Sequence, residues 1–359
     1  MPIIAAKNPY LSRDFTIHLV LVLLVCFHQV ASFSFTVGVG VGIKKYQSSL
    51  VTVTTSSLKA KEEGQQEISK RDLIRPTASI RVIYESDQVL AIEKPHHISH
   101  HDDQDTMGIL TYVRQLQMEN EIEYSGRLWG VHRLDRVTSG ILLFAKSSEV
   151  ASLLTESFRE KKVTKYYVAL SNKKPKKKKQ GWVKGDMVQS RRKSWKLCNS
   201  QKNPAITRFF TSGLGKCDFS NWKFDDDKNV NEDEDENEDE DETNNYLALL
   251  PKTIILLRPH TGKTHQLRVA AKSLGMPIIG DPDYSDKSEA KYMERTYLHA
   301  LALHVTVQGE NISIYNPPKS WYGIDESAQH TNGVEEVMAS IMKKHCDCED
   351  LMDIIASYA

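Results

Sequence analysis

The sequence has few cysteines, no apolar run long enough to cross a bilayer and no net charge, and each shortage narrows what the chain can be. Cys26, Cys198, Cys217, Cys346 and Cys348 are too few and too scattered in 359 residues for a disulfide framework, which points to a reducing compartment. Residues 17–27 form an apolar run broken by His18. That is well short of the ~20 residues a spanning helix needs, but it is the length of a signal-peptide core. Zinc spacing is missing too. His96, His97, His100, His101, Asp102 and Asp103 crowd together, as do His345, Cys346 and Cys348, yet neither group has a four-ligand pattern, and both read as polar loops. The zero net charge is a cancellation. Residues 225–242 hold 13 acidic residues and one lysine, so the 47 basic and 47 acidic residues of the whole become 46 against 34 elsewhere. An excess of 12 positive charges suits a surface that meets a polyanion.

The chain divides by composition. Residues 1–60 read as an address: Lys7 and Arg13 precede the apolar run, and Ala31-Ser32-Phe33 opens a stretch rich in Ser, Thr and Val with no acidic residue before Glu62. This resembles the two-part plastid presequence of algae with complex plastids, and implies a plastid protein with no stable membrane association after processing; the alternative is a mitochondrial one. Residues 61–78 are a polar linker. Residues 79–320 carry the folded body, with a lysine-rich loop at 173–179 that suits a phosphate contact and an acidic, disordered insertion at 225–245. Residues 321–359 are a helical tail, with helix expected over 334–344 and Val337, Ile341 and Ile354 or Ile355 available to dock.

Within the body, apolar pairs around Ser86-Asp87-Gln88 predict two short strands, and Ile109, Val113 and Leu116 a short helix. Val150, Leu153, Leu154 and Phe158 recur at helical spacing behind a Ser147 or Ser148 cap, and form a core stripe. Strands follow over 163–170 and 205–209, a helix whose apolar face is Leu267, Ala270, Ala271 and Leu274, and a strand over 297–307. The densest polar cluster sits at residues 130–146, GVHRLDRVTSGILLFAK. A buried strand, Ile141 to Phe144, follows a glycine turn there, so His132, Arg133, Asp135 and Arg136 lie on a loop at a sheet rim. Two flanking guanidiniums would hold Asp135 ionised, as a nucleophile or as an ion-pair partner.

Residues 132–140, HRLDRVTSG, resemble the signature of the RluA-type RNA pseudouridine synthases, and four other segments match that family in order. Lys94-Pro95 resembles its entry into the catalytic core, Tyr167-Val168-Ala169 its tyrosine strand, residues 261–284 its TG-K-THQ-L-RV and GD-x-x-Y block, and Leu298-His299-Ala300 its closing strand. The resemblance implies an α+β fold: a mixed, mostly antiparallel sheet flanked by helices, with a central RNA-binding cleft. It implies Asp135 as the catalytic aspartate and Arg268 as the arginine that pairs with it. Tyr167, with Tyr166 the second choice, would face the base and take part in proton transfer. Arg133 would fill the space left by a flipped base and Leu267 would pack on that base, while His132, Lys263, Thr264, His265 and Gln266 complete the RNA-binding set. No metal or organic cofactor is implied, since nothing is oxidised and no group is transferred; the expected partner is ribosomal or transfer RNA, met by a monomer. Two other classes compete: a catalytically silent RNA-binding protein on the same scaffold, and a metal-dependent nuclease using the loop at 96–103.

Overall fold

A computed structural model describes residues 73–190, 194–220, 222, 224, 225, 247–322 and 333–358. The expected presequence, all but the end of the linker and nearly all of the acidic insertion lie outside them. In chain order come β1 (Arg81–Glu85), β2 (Val89–Lys94), α1 (Ile109–Met118), β3 (Trp129–Gly130), β4 (Ser139–Ala145), α2 (Ser148–Arg159) and β5 (Thr164–Ser171). Then follow β6 (Gln180–Gln189), β7 (Trp195–Cys198), β8 (Ala205–Gly213), β9 (Thr253–Pro259), α3 (Gln266–Ser273) and α4 (Lys287–Ala290). The chain closes with β10 (Leu298–Val307), β11 (Glu310–Tyr315), α5 (Val334–His345) and α6 (Glu349–Tyr358).

The strands described form one sheet in the order β1-β2-β4-β10-β5-β9-β8-β6-β7, with β11 also on β10 and β3 on β4. Of its pairings only β4 with β10 is parallel, at Ser139 with His299 and Gly140 with Ala300. The sheet is therefore mixed and mostly antiparallel, as the resemblance implied. Gly140 makes that junction possible: its φ is +105°, and a Cβ there would stand 2.4 Å from the Ala300 carbonyl oxygen.

Strand alternation sorts the core. Along β5, Tyr166, Val168 and Leu170 face one side, where α5 and α6 supply Met338, Ile341, Met342, Leu351 and Ile355. Ala169 faces the other, with Leu257 and Phe209, against Leu267, Ala270 and Ala271 of α3. A separate cluster joins β2 and β4 to Ile109, Val113 and Leu116 of α1 and to Val150 and Leu154 of α2. The tail is thus part of the body, with a second helix beyond the expected one.

One expectation changes: Leu153 is 41 % exposed, because only Val150 and Leu154 of its stripe turn fully inward. The lysine run at 173–179 is a loop, as expected, and joins β5 to β6 across β9 and β8; Lys173 is paired with Glu289 at 3.0 Å.

Candidate active site

The loop bearing Asp135 takes its shape from what it buries. Leu134 and Val137 enter the core, so Arg133 and Arg136 are exposed and Asp135 is half-buried between them. A bond from Thr138 N–H to the Asp135 carbonyl (3.0 Å) closes the turn. Beneath it lies Lys94, fully buried at the end of β2, donating from Nζ to the carbonyls of Pro95 (2.8 Å), Thr138 (2.9 Å) and Arg136 (3.3 Å). Burial pushes the Lys94 pKa down to about 7, against the pull of Asp135. Ser139 is held from the other side: its Oγ accepts from Arg295 Nη2 (2.6 Å) and meets His299 Nδ1 (2.9 Å). Because His299 Nε2 faces the Asn316 carbonyl at 2.9 Å, Nε2 carries the proton and Ser139 donates to Nδ1. Burial keeps that ring neutral, with its pKa near 4.

Asp135 opens into a cleft of about 410 Å³, bounded by its own loop, the start of β5, the end of β9, the loop at 260–265 and the first turn of α3. Seven cationic side chains line it: Arg133, Arg159, Lys161, Lys165, Arg258, Lys263 and Arg268. Among the described lining residues Asp135 is the one carboxylate. Burial lowers the pKa values of Lys94 and His265 and raises that of Tyr167; the Asp135 charge opposes the first two shifts, adds to the third and helps to raise the pKa of Arg268.

Tyr167 lines this cleft, whereas Tyr166 points to the opposite face, where its hydroxyl donates to Asp347 Oδ1 (2.7 Å). Burial, helped by Asp135, raises the Tyr167 pKa and keeps the group a phenol. Leu267, 9 % exposed, lines the cleft beside it. Thr264 is exposed at the rim, and Lys263 is held there by a bond from its Nζ to Asn203 Oδ1 (2.8 Å).

The structure gives three of the expected site residues partners of their own. Arg268 shares the cleft with Asp135, but no hydrogen bond or ion pair joins the two among the described residues. Instead Nε and Nη2 clamp Asp281 (2.8 and 2.6 Å), and Nη2 also reaches Asp283 (2.7 Å). Burial opposes the Arg268 charge, yet these carboxylates outweigh it and raise its pKa. Gln266 has no hydrogen-bonding capacity to spare for RNA. Its oxygen accepts from Thr261 Oγ1 (2.7 Å) and Lys263 N–H (3.0 Å), and its nitrogen donates to the Ile206 carbonyl (3.0 Å) and Thr207 Oγ1 (2.9 Å). It ties the loop at 260–265 to β8. His132 has its acceptor taken by Leu143 N–H (2.9 Å), and its ring stacks on Phe158 at 4.7 Å. Burial, with Lys165 and His100, pushes its pKa to about 3, so it braces the Asp135 loop as a neutral ring.

The supporting side chains that sequence reasoning passed over are Asp281, Asp283, Tyr284 and Arg295. Tyr284 is the joint of the group. Its hydroxyl accepts from Trp195 N–H (2.9 Å) and shares a hydrogen bond with His265 Nδ1 (2.9 Å), while Arg268 sits 4.8 Å above its ring. Gly280, at φ +71° with a Cβ position 1.9 Å from the Arg295 carbonyl oxygen, lets the chain turn into Asp281; that glycine-aspartate pair was the available signal. In the loop at 96–103, Asp102 accepts from Gly108 N–H (2.8 Å) and Thr111 Oγ1 (2.9 Å), bracing the start of α1. No three His, Cys, Asp or Glu side chains among the described residues gather as metal ligands.

A cleft cut across a mixed sheet, with one carboxylate facing a wall of cations, belongs to an enzyme that works on nucleic acid. The profile of the RNA pseudouridylate synthase family matches residues 88–273. An uncharacterized RNA pseudouridine synthase of Haemophilus influenzae is 39% identical over 236 residues, covering 66% of this chain and 86% of the relative. The ribosomal large subunit pseudouridine synthase C of Rickettsia prowazekii is 30% identical over 239 residues, 65% of this chain and 66% of that one. A tRNA pseudouridine synthase C of Pasteurella multocida is 29% identical over 247 residues, 64% and 86%. In fold, the human RNA pseudouridylate synthase domain containing 1 superposes with a TM-score of 0.52 at 21% identity, over 75% of this chain and 97% of that one. The chain belongs to the RNA pseudouridylate synthase family, in its RluA-type branch, and is an isomerase.

Proposed function

We propose that the protein converts uridines of ribosomal or transfer RNA to pseudouridine, with Asp135 starting the reaction on a base flipped out of its stack. The observation that carries this is the lone carboxylate in a cleft lined by seven cations: phosphates are attracted to the wall, and the one anionic group is left to the ribose. The relatives named for the ribosomal large subunit and for tRNA support a structured RNA as substrate.

The isomerisation breaks the bond from C1′ to N1, turns the uracil and joins C1′ to C5; the C5 proton leaves and N1 gains one, so atoms balance without a cofactor. A carboxylate starts this by attacking C1′ or by removing a ribose proton to give a glycal, and either route begins at Asp135. Tyr167 and Leu267 flank the uracil, Tyr167 as a phenol that can relay a proton. Exposed Arg133, two residues before Asp135, fills the gap the base leaves. His132 and Gln266 act through the loops they hold. Asp135→Asn should bind RNA with unchanged affinity and form no pseudouridine; turnover in that variant would remove Asp135 from the mechanism.

A further inference from the structure

Outside the cleft, two large aromatic side chains among the described residues lie open, Trp182 and Tyr358. Trp182 on β6 is 47 % exposed, in the part of the strand that pairs with β8 ahead of the hairpin to β7. Single exposed hydrophobic residues are ordinary. This one differs in its surroundings. Register sets Trp182 opposite Arg208 on β8, and Arg208 opposite Arg258 on β9, so the three share one face. Lys184 Nζ lies 5.1 Å and Arg208 Cζ 5.5 Å from the indole centroid. The His260 ring packs 5.0 Å away, tilted by 48°. Arg208 is itself held 4.9 Å over the Phe210 ring. The patch meets the active site through His260, which lines the cleft, whereas the Arg258 guanidinium turns to Asp347 on the face of Tyr166.

An indole ordered by neighbouring cations has an apolar face for a base and positive charge beside it for the phosphates, the combination by which single-stranded nucleic acid is held. From β6 to β5 are three strand spacings, roughly 14 Å at ~4.8 Å each, a span of a few nucleotides. We propose that Trp182, set among Lys184, Arg208 and His260, is a second stacking station for an unpaired base of the RNA, a few nucleotides from the uridine at Asp135. This rests on the reading of the cleft as an RNA site. It adds a requirement that the substrate have an unpaired flank on one side of the target.

The test is binding of fluorescein-labelled oligouridylates, a trinucleotide and a dodecanucleotide, to the full chain. Trp182→Ala should weaken the dodecanucleotide by roughly 5- to 100-fold, the range of base–aromatic stacking, with the loss confined to that longer probe. Trp182→Phe, which keeps a ring, should restore most of it. Lys184→Ala, at an exposed position, should lower the slope of log affinity against log salt by about one. A dodecanucleotide bound by Trp182→Ala with wild-type affinity and salt slope overturns the station, as does an equal loss for both probes, and a protein partner on this face would give the first of these results. The isomerase reading fails separately, on product formation by Asp135→Asn.

Discussion

The exchange of partners at Arg268 makes a prediction that can be worked through. Side-chain exposure is 2% for Arg268, 0% for Asp281 and 43% for Asp283, so the pair with Asp281 is dry and the one with Asp283 is wet. Asp281 also accepts backbone N–H groups from Asp283 (3.0 Å) and Tyr284 (3.1 Å). Asp281→Asn keeps the shape but turns an NH₂ group toward a guanidinium N–H or toward those amides. Removing one partner of a buried pair costs about 3–5 kcal/mol, which in a domain of this size is a fall in melting temperature of roughly 10 °C. Asp283→Asn, at a screened position, should cost under about 1 kcal/mol. Asp135→Asn, which breaks no ion pair among the described residues, should likewise stay within about 1 kcal/mol. Urea titration of the three variants, with single-turnover pseudouridine formation beside it, is the assay. Activity should fall in both Asp281→Asn and Asp135→Asn, but stability only in the first. If Asp135→Asn proves the less stable of the two, Arg268 leans on Asp135 after all and its clamp on Asp281 is secondary.

Three further outcomes follow from the same geometry. His132 and His299 titrate near 3 and 4 when folded, against ~6.5 unfolded. Below about pH 6.5 the unfolded chain therefore binds protons that the folded one refuses; stability is fully present above that pH and falls as pH drops toward 4, by about 2 kcal/mol per ring at about pH 5. A urea midpoint that stays flat from about pH 7 to 5, or a slope no shallower in His299→Gln, would contradict it. Gly140→Ala pushes a methyl group into the Ala300 backbone at an unfavourable φ, and should yield protein with a lower melting temperature and little product; wild-type values for both would show that the parallel junction tolerates a side chain. For localisation we propose plastid import, tested by a fluorescent reporter fused to residues 1–60; a reporter held in mitochondria or secreted would reject it.

Much of the fold was legible because its signals are local. A fully buried β4 reads as an unbroken apolar run, α3 shows its face at i, i+3, i+4 and i+7, and the Ser147 cap of α2 accepts from Val150 N–H at 3.2 Å as a serine before an apolar-periodic stretch should. What was not legible depends on distant partners. β6 and β7 escaped notice because Gln180–Gln189 and Trp195–Cys198 are largely exposed or half-buried and their apolar residues alternate weakly. Leu153 fits the helical period but stays largely exposed. Gln266 reaches Ile206 and Thr207 on β8 and His132 the Leu143 N–H on β4, and no spacing within their own motifs reveals those distant partners.

The Arg268 result also says why the aspartate is available at all. On the proposed mechanism, a guanidinium in full contact with Asp135 would occupy the lone pairs meant for the ribose, and that pair would have to break first. Committing Nε and Nη2 to Asp281 and Asp283 removes the contact and keeps the field, since Arg268 and Asp135 still act on each other across the cleft. Lys94 works in the same way from below: two of its three hydrogen bonds go to carbonyls of the loop, the third to the carbonyl of Pro95, and none to the carboxylate. Both side chains are pinned by groups other than Asp135, so neither is left free to pair with it. The site is thus organised before RNA arrives, and substrate binding need not expel a resident partner from the reacting group.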